Sequence, residues 1–446
     1  MDIMLILQII VLFGGIYLGV RLGGMGIGYA GGLGVIILSL CFGMKPANLP
    51  WDVILIIASV ISAITALQVA GGLDYLVQVA ERILRKNPKQ INYLAPVVTY
   101  LLTVFAGTGH TAFSMIPVIV EVAKSENIKP SAPLALSVVS SQVAITASPI
   151  SAAFVAMSGL CEPLGVNYPM LLFICISTTF VGMLITAFIV NMFYDLDLSK
   201  DPIYQERLAK GLVKEIKGHE EKELLPYAKR SVAIFGIGVL AVVIYALAIS
   251  KNVGLINPVI LGRDGAIISF MLTIGAFIVM LCKVETGKLL STSTFQSGMN
   301  ACICVLGIAW LGSTFVGGHV DAIKAVASEF VKQYPFVLAV VLYFVSALLY
   351  SQAVTTKVMM PVVALALGMT SPENSGQVWI LVASFAAVSG LFVLPTYPTT
   401  LGAIAMDDTG TTRVGKFVFN HSFFIPGTIM VAVSVALGFI VAPILL

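Results

Sequence analysis

Two short polar stretches interrupt long apolar runs in this sequence, and both are rich in residue types that bind anions. The first is FAGTGHTAFSMIP, residues 105–117, and the second is YSQAVTTKVMMP, residues 350–361. Glycine lets a ligand approach the backbone closely, and hydroxyl, imidazole and ammonium groups donate hydrogen bonds to anions. The candidate binding residues in these stretches are Thr108, Gly109, His110, Thr111, Gln352, Thr355, Thr356 and Lys357.

Two further motifs place proline beside hydroxyl residues within apolar segments: ITASPIS, residues 145–151, and LPTYPTT, residues 394–400. A helix that restarts inside a membrane directs its unpaired N–H groups and the positive end of its dipole at the break, so it can bind a carboxylate. All four motifs lack Asp and Glu, which favours an anion over a cation or a sugar. The candidates here are Thr146, Ser148, Pro149, Ser151, Thr396, Tyr397, Thr399 and Thr400.

The motifs contain two basic side chains, Lys357 and His110, and the sequence narrows the role of Lys357 further than that of His110. A charged Lys357 at membrane depth is expensive without a partner. A substrate carboxylate is such a partner, which favours a binding role over a lysine whose stem reaches the outer interface. For His110 three alternatives stay open: a donor to a carboxylate, a carrier of a coupling proton, or a hydrogen-bonded histidine of the core.

The composition indicates which elements position these residues. Of the 446 residues, 58% are hydrophobic and 11% are charged, and the mean hydropathy is +1.00. Repeated apolar runs of about 17–25 residues match membrane-crossing helices, so we expect an all-α polytopic membrane protein. The net charge of +3 is too small to suggest nucleic acid as a partner, and the six cysteines form no metal-ligand pattern. The motifs contain no pairing of nucleophile and base that indicates an enzyme.

The apolar runs predict about ten transmembrane helices and two re-entrant hairpins, at residues 91–124 and 336–368. On this topology one side of the membrane holds 19 of the 25 basic residues, and the positive-inside rule makes that side cytoplasmic. Both termini are then periplasmic, the first apolar segment is a retained span, and residues 194–230 form a cytoplasmic linker.

The two halves of the chain resemble each other. GGLDYLVQVAERILRKNP, residues 71–88, matches GGHVDAIKAVASEFVKQYP, residues 317–335, and each precedes a hairpin and a broken helix. Five crossings per half is an odd number, so the second copy is inverted, as is typical of secondary transporters. The predicted units are a first repeat at 1–193 with a broken helix at 133–160, and a second repeat at 231–446 with a broken helix at 379–406.

Two other motifs carry weaker signals. GIGYAG, residues 26–31, lies within an apolar span, so Gly24, Gly28 and Gly32 are expected to allow close helix packing rather than dinucleotide binding. AMDDTGTTRVGK, residues 405–416, holds Asp407, Asp408 and Arg413. An ion-pair lock or a role in coupling is open for it, and a solvated loop is the favoured interpretation.

Several long motifs resemble the anaerobic four-carbon dicarboxylate transporter family of bacteria, the Dcu family, and within it the DcuA branch. They are RLGGMGIGYAGGLG, LQVAGGLDYL, FAGTGH, ITASPISAA, STSTFQSGMNACICVLGIAWLG, AAVSGLFVLPTYPT and MDDTGTTRVGKFVFNHSFFIPG. The likeness implies uptake, exchange or efflux of aspartate, fumarate, malate and succinate across the inner membrane in anaerobic respiration. It also implies the fold of the wider ion-transporter superfamily, a homodimer with a scaffold domain and an elevator-type transport domain.

The residues and the resemblance together predict a secondary active transporter or antiporter for four-carbon dicarboxylates that works by alternating access. The expected partners are a small dicarboxylate, the lipid bilayer and a second copy of the chain. No cofactor is expected, and coupling to protons or to sodium stays open. The alternative function is a membrane sensor that binds the dicarboxylate without transport.

Overall fold

The computed structural model describes most of the chain. The described residues are 3–22, 25–49, 51–149, 151–213, 223–249, 255–319, 333–349, 351–369, 375–395, 397–417 and 419–446. Over these residues the chain is helical and holds no strand; two isolated bridges pair Ile128 with Asp197 and Val414 with His421. The expected all-α class is therefore confirmed.

The first half of the chain forms nine helices over the described residues. They are α1 (Ile3–Leu22), α2 (Gly26–Ile36), α3 (Trp51–Val69), α4 (Gly72–Lys86), α5 (Ile91–Ala106), α6 (Ala112–Ser125), α7 (Ser131–Ala144), α8 (Ala152–Cys161) and α9 (Tyr168–Phe193). A π-helical turn, Ile37–Cys41, extends α2. The short helix α10 (Pro202–Ala209) follows in the linker.

The second half contributes nine further described helices. They are α11 (Ala228–Ala248), α12 (Arg263–Leu281), α13 (Ser293–Cys304), α14 (Trp310–Gly318), α15 (Val337–Leu349), α16 (Gln352–Ala366), α17 (Val378–Ser384), α18 (Pro398–Met406) and α19 (Phe424–Leu445). A π-helical turn, Val305–Ala309, joins α13 to α14. Most of the predicted counterpart of α4, at 317–335, lies outside the described residues, as does part of the linker.

Length and hydropathy make this a multi-pass membrane protein. Within the described residues, four helical segments are long and apolar enough to cross a membrane, and the number rises to six if each of two bent pairs is one span. Shorter apolar helices, α1 among them, accompany these segments. The ten crossings stay a prediction.

The surface helix α4 forms because its sequence suits a helix that begins at a sharp corner. Gly71 has φ +82°, a conformation that glycine adopts without strain, and α3 and α4 meet there at 74°. Asp74 lies in the first turn of α4, and two basic residues lie in its last turn, as the helix dipole favours. In that last turn Arg85 bonds Glu81 at 2.6 Å and Glu121 of α6 at 3.0 Å, which ties α4 to the first hairpin.

Glycines bring α2 against the π-helical turn of the second half. A Cβ on Gly28 would lie 2.2 Å from the Ile303 carbonyl oxygen, and one on Gly31 would lie 2.2 Å from the Gly307 carbonyl carbon. The packing role predicted for Gly28 is thus confirmed, but Gly32 faces open space. Gly24 lies outside the described residues.

The two halves pack across one another rather than side by side. The final helices α9 and α19 pair, and α3 packs against α12. The return arm of the first hairpin, α6, packs on α18, and the return arm of the second hairpin, α16, packs on α8. Each hairpin therefore leans on the broken span of the other half.

Candidate functional site

The first break lies between α7 and α8. A single 3-10 turn, Ile145–Ala147, ends α7, and Ser148 then adopts an extended conformation with ψ 122°. The backbone restarts as a helix after Ser151, whose Oγ accepts a hydrogen bond from the Phe154 N–H at 3.1 Å. Ser148 and Ser151 are buried. A helix start with its N–H groups and positive dipole end thus lies inside the protein.

The hydroxyl groups at this break are engaged with backbone carbonyls. Thr146 donates to the Val143 carbonyl at 2.8 Å, Ser148 to the Val104 carbonyl at 2.7 Å and Ser151 to the Ile145 carbonyl at 2.6 Å. The Pro149 carbonyl accepts from the Tyr168 hydroxyl. A break leaves helix carbonyls without their usual N–H partners, and these side chains satisfy some of them. Because each of the three hydroxyl groups already donates its proton to a carbonyl, it can accept a hydrogen bond from a ligand but cannot donate one.

The second break follows an unusual stretch. After α17 the chain continues as a nine-residue 3-10 segment, Phe385–Val393, in which Gly390 departs from helical geometry with ψ 22°. The segment therefore consists of two 3-10 pieces that meet at a kink at Gly390. Stretches of 3-10 helix in the middle of a helical span often mark a hinge. The Ser346 hydroxyl of α15 accepts from the Gly390 N–H at 3.0 Å, so the hairpin supports this segment.

At the second break the chain restarts as α18 after Tyr397, with Pro398 at the first helical position. Proline suits this position because its missing N–H would have no partner there. Thr399 and Thr400 are fully buried, and Thr400 donates to the Tyr397 carbonyl at 2.6 Å. Thr396 lies outside the described residues.

The first hairpin turns at Gly107, which ends α5 with φ +69° and donates to the Thr103 carbonyl. A short 3-10 turn, Gly109–Thr111, follows and contains the backbone of His110. The Thr111 hydroxyl pairs with the Thr103 hydroxyl at 3.0 Å and donates to the Thr108 carbonyl at 3.2 Å, so the hairpin tip is bonded within itself. The roles considered for His110 stay predictions.

The second hairpin turns just before α16. Ser351 caps this helix, since its Oγ accepts from the Val354 N–H at 3.3 Å. Thr355 donates to the Ser351 carbonyl and Thr356 to the Gln352 carbonyl, both at 2.8 Å. Lys357 lies in the second turn of α16 and is half-buried.

Three of the four motifs meet on two neighbouring residues of α7, Ser141 and Gln142. At the first tip, a Cβ on Gly109 would lie 3.4 Å from the Ser141 carbonyl oxygen. At the second tip, Gln352 Nε2 donates to the Gln142 carbonyl oxygen at 3.0 Å. From α18, the Thr399 hydroxyl accepts from Gln142 Nε2 at 3.4 Å. The fourth motif, the first break, begins at Ile145, directly after the last residue of α7.

Gln142 is the residue that sequence reasoning missed. It is fully buried and touches both a hairpin tip and a broken helix of the other half. The only signal in the sequence is a glutamine inside the apolar run LSVVSSQVAI, where an amide is expensive unless it is bonded. Of the predicted residues, Gln352 and Thr399 are brought together through Gln142, while Thr108 and Thr111 bond within their own hairpin.

A polar cluster lies where α6 and α18 end and α7 begins. Lys124 Nζ lies 2.9 Å from the Asp408 carboxylate, and their side chains are only 8% and 12% exposed. Asp407 is buried and accepts from the Thr412 N–H at 2.7 Å and from the Thr411 hydroxyl at 3.0 Å. The solvated loop expected for this segment is therefore wrong for Asp407 and Asp408. Asp408 forms an ion pair, but with Lys124 of the first hairpin. Arg413, the base named in the alternative, lies 3.8 Å from Asp201 instead.

The linker begins by joining this cluster. Arg207 of α10 donates to the Asp408 carbonyl at 2.8 Å. Asp197 accepts from Asn127 at 2.8 Å and from the Ser199 hydroxyl at 2.6 Å. The hydrogen bond from the Ser199 hydroxyl and, to a smaller extent, the one from Lys200 lower the pKa of Asp197 to about 2. The first part of the linker is thus bonded to the loop between the first hairpin and α7.

Comparison with known proteins decides the family. A family model described as "Anaerobic c4-dicarboxylate membrane transporter" matches residues 4–446. The chain belongs to this family. Similar proteins of the C4-dicarboxylate transporter family include those named DcuA from Wolinella succinogenes, 61% identical over 99% of this chain and 100% of that protein, and from Helicobacter pylori, 60% identical over 98% and 99%.

A DcuA from Escherichia coli K12 is 53% identical over 99% of this chain and its own full length. Among solved structures, the YdaH transporter of Alcanivorax borkumensis matches with a TM-score of 0.51 over 91% of this chain and 87% of that one. At 14% identity this likeness concerns the fold alone. The C4-dicarboxylate transporter family is one of membrane transporters, so the expectation of a transporter rather than an enzyme is confirmed.

Proposed function

We propose that this protein is a secondary active transporter that exchanges four-carbon dicarboxylates, among them aspartate, fumarate, malate and succinate, across the bacterial inner membrane. The relatives named as C4-dicarboxylate transporters support the substrate class. The observation that carries the proposal is the meeting of both hairpin tips and α18 at Ser141 and Gln142. Half-helices that meet inside the membrane are typical binding sites in secondary transporters.

The chemistry of the meeting point suits a dianion. α16 begins at Gln352, α18 begins at Pro398, and α8 begins after Ser151. Each start directs N–H groups and the positive end of a helix dipole inward, which stabilises a carboxylate. Thr399 accepts from Gln142, so its own O–H group can donate to a ligand. Lys357, one turn into α16, supplies a full positive charge for one of the two carboxylates.

We propose that transport proceeds by alternating access, and the crossed packing of the halves supports this mechanism. We propose that residues 1–193 and 231–446 are inverted repeats joined by the linker 194–230, with hairpins that enter from opposite faces. A hairpin that leans on the broken span of the other half can open toward its own face while the opposite hairpin stays closed. A substrate bound between the tips is then released to one side at a time.

We propose further that the protein is a homodimer in which α5–α9 and α15–α19 move as an elevator against a scaffold of α1–α4 and α11–α14. The packing of each hairpin on the broken span of the other half supports a common moving unit. The proposal places both termini in the periplasm. It includes no cofactor, and the counter-substrate, protons or sodium supply the driving force.

Exchange in proteoliposomes tests the transport function. Vesicles loaded with unlabelled succinate are expected to accumulate labelled aspartate, with the driving ion identified by repeating the assay without sodium and without a pH gradient. Lys357→Ala is expected to abolish exchange, because a carboxylate then loses its only full counter-charge among the four motifs. Lys45→Ala, at an exposed lysine of the loop after α2, is the matched control and is expected to leave exchange unchanged.

Two further variants of the break points, Ser148→Ala and Thr396→Ala, are expected to abolish exchange without lowering the amount of protein in the membrane. Ser148→Ala acts by removing the hydrogen bond to the Val104 carbonyl that holds the first break in place. Full exchange by these two and by Lys357→Ala would falsify the proposed site. Binding of aspartate by the wild-type protein with no exchange would instead favour the membrane sensor.

A further inference from the structure

Gln142 occupies an unusual position at the meeting point of the hairpin tips. Its side chain is fully buried in α7, its carbonyl accepts from Gln352, and its Nε2 donates to Thr399 at 3.4 Å, which is long for a hydrogen bond between nitrogen and oxygen. It is thus in contact with the starts of two half-helices from the other half of the chain.

The amide oxygen of Gln142 is buried and has no hydrogen-bond partner among the described residues. Leaving a buried acceptor unpaired costs about 1–3 kcal/mol. Most buried polar atoms in proteins are bonded, so an exception at the meeting point of three candidate ligand-binding motifs calls for a donor that arrives with a ligand.

The two carboxylates that all four-carbon dicarboxylates share cannot supply this hydrogen-bond donor. Ionised carboxylates only accept hydrogen bonds, so they match the helix starts and Lys357 but not the Gln142 Oε1 atom. Aspartate carries an ammonium group on C2 and malate carries a hydroxyl group there, whereas succinate and fumarate carry no donor. The unpaired oxygen therefore distinguishes two classes of substrate.

We propose that Gln142 Oε1 accepts a hydrogen bond from the amino or hydroxyl group on C2 of the bound dicarboxylate, so that this residue sets the preference for donor-bearing over donor-free four-carbon acids. This inference rests on the proposed function. A site that hydrogen-bonds a substrate group discriminates strongly against an analogue that lacks it, because the buried partner is then left unpaired. Since Gln142 is fully buried, the hydrogen bond forms only after a tip or α18 has moved aside to admit the substrate.

The test compares KM for aspartate and for succinate exchange in proteoliposomes. In Gln142→Met, which keeps the length of the side chain but has no amide, KM for aspartate is expected to rise about tenfold or more while KM for succinate changes less than about threefold. Gln142→Glu keeps an acceptor at this position. Its added negative charge weakens both acids alike, and the preference for aspartate is expected to be retained.

Ser137→Ala is the matched control. Ser137 lies earlier on α7, is buried, and also has a hydroxyl without a partner among the described residues. Its removal is expected to leave the ratio of the two KM values unchanged. If Ser137→Ala and Gln142→Met alter the ratio alike, the effect comes from α7 in general and the proposal is wrong.

An equal rise in both KM values for Gln142→Met would assign Gln142 to the structure of the site and overturn the inference, while exchange itself would still support the proposed function. A wild-type protein that exchanges neither acid would overturn the proposed function. In that case the same ratio is measured from competition of aspartate and succinate for binding to the detergent-solubilised protein. Loss of the ratio in Gln142→Met but not in Gln142→Glu would then still support the inference.

Discussion

Gln352 Nε2 donates to the backbone carbonyl of Gln142 at 3.0 Å, and this buried hydrogen bond joins the second hairpin to the broken span of the first half. The same carbonyl also accepts from the Ile145 N–H at the end of α7. The second hairpin is therefore fixed at the point where α7 gives way to the first break, and the bond has to be broken if this hairpin opens.

Gln352→Met is expected to weaken the closed tip, because it removes one buried hydrogen bond that contributes about 0.5–1.5 kcal/mol. The thermal midpoint of the purified protein in detergent is expected to fall, and exchange of aspartate in proteoliposomes is expected to slow. Gln377→Met, at an exposed glutamine before α17, is the control and should alter neither quantity. An unchanged midpoint in Gln352→Met would show that the tip is not held by this bond.

The ion pair between Lys124 and Asp408 is expected to stabilise the fold because both side chains are nearly buried. Removing one partner of a buried pair leaves an uncompensated charge and costs about 3–5 kcal/mol. Lys124→Asp and Asp408→Lys alone are each expected to lower the thermal midpoint sharply, and the double variant is expected to recover part of the loss.

The exposed pair of Lys288 and Glu285, 2.8 Å apart with both side chains about two-thirds exposed, is the control for this experiment. Pairs of this kind contribute less than about 1 kcal/mol, so reversing it should have little effect. If the double variant at 124 and 408 is no more stable than either single variant, the two charges do not act as a pair.

The class of fold could be predicted from composition, because a helix that crosses a hydrocarbon core about 30 Å thick needs a long apolar run, and such runs are visible in the sequence. Composition could not predict two local departures from the α-helix, the π-helical turn after α2 and the 3-10 segment before the second break. Both segments consist almost entirely of apolar residues, so their sequences do not distinguish one helix type from another. Gly31 rather than Gly32 carries the close approach to Gly307, which lies in the π-helical turn between α13 and α14.

The candidate site could be predicted from the sequence only in part. Sequence identifies hydroxyls beside helix breaks but not the direction of their protons, and Thr146, Ser151 and Thr356 donate to the backbone of their own segments. The partners of Gln142 and Lys124 lie 257 and 284 positions away along the chain. Contacts across such distances depend on how the halves pack, which no local pattern records.

Gly390 is expected to be intolerant of any side chain. A Cβ there would lie 2.4 Å from the Tyr343 carbonyl oxygen of α15, so Gly390→Ala forces the 3-10 segment away from the hairpin. Overpacking of this kind typically costs about 1–3 kcal/mol. The thermal midpoint and the exchange rate are expected to fall together, whereas Gly159→Ala on α8, which faces open space, should change neither. Normal exchange by Gly390→Ala would show that the contact with α15 is not needed.

The attachment of the linker is expected to depend on pH below the physiological range. Hydrogen bonds from Ser199 and Lys200 lower the pKa of Asp197 to about 2, below its ordinary value of 3.8. The ionised form therefore stabilises the attachment to Asn127 above about pH 4, and this contribution is lost as the pH falls toward 2. Protection of the Leu198 and Lys129 amides, which bond across this junction, is the quantity to measure.

Hydrogen exchange read by mass spectrometry, corrected for the intrinsic pH dependence of exchange, is expected to show steady protection of the segments around 127–129 and 195–201 down to about pH 4.5 and a decline below pH 4. In Asp197→Ala the protection is expected to be low at every pH. Glu206→Ala is the control, because Glu206 of α10 pairs with Lys210 directly after this helix and its pKa is also lowered. Among the described residues, no hydrogen bond or ion pair joins Glu206 to the 127–129 loop. Wild-type protection that persists unchanged to pH 2.5 would mean that the Asp197 carboxylate does not hold the linker in place.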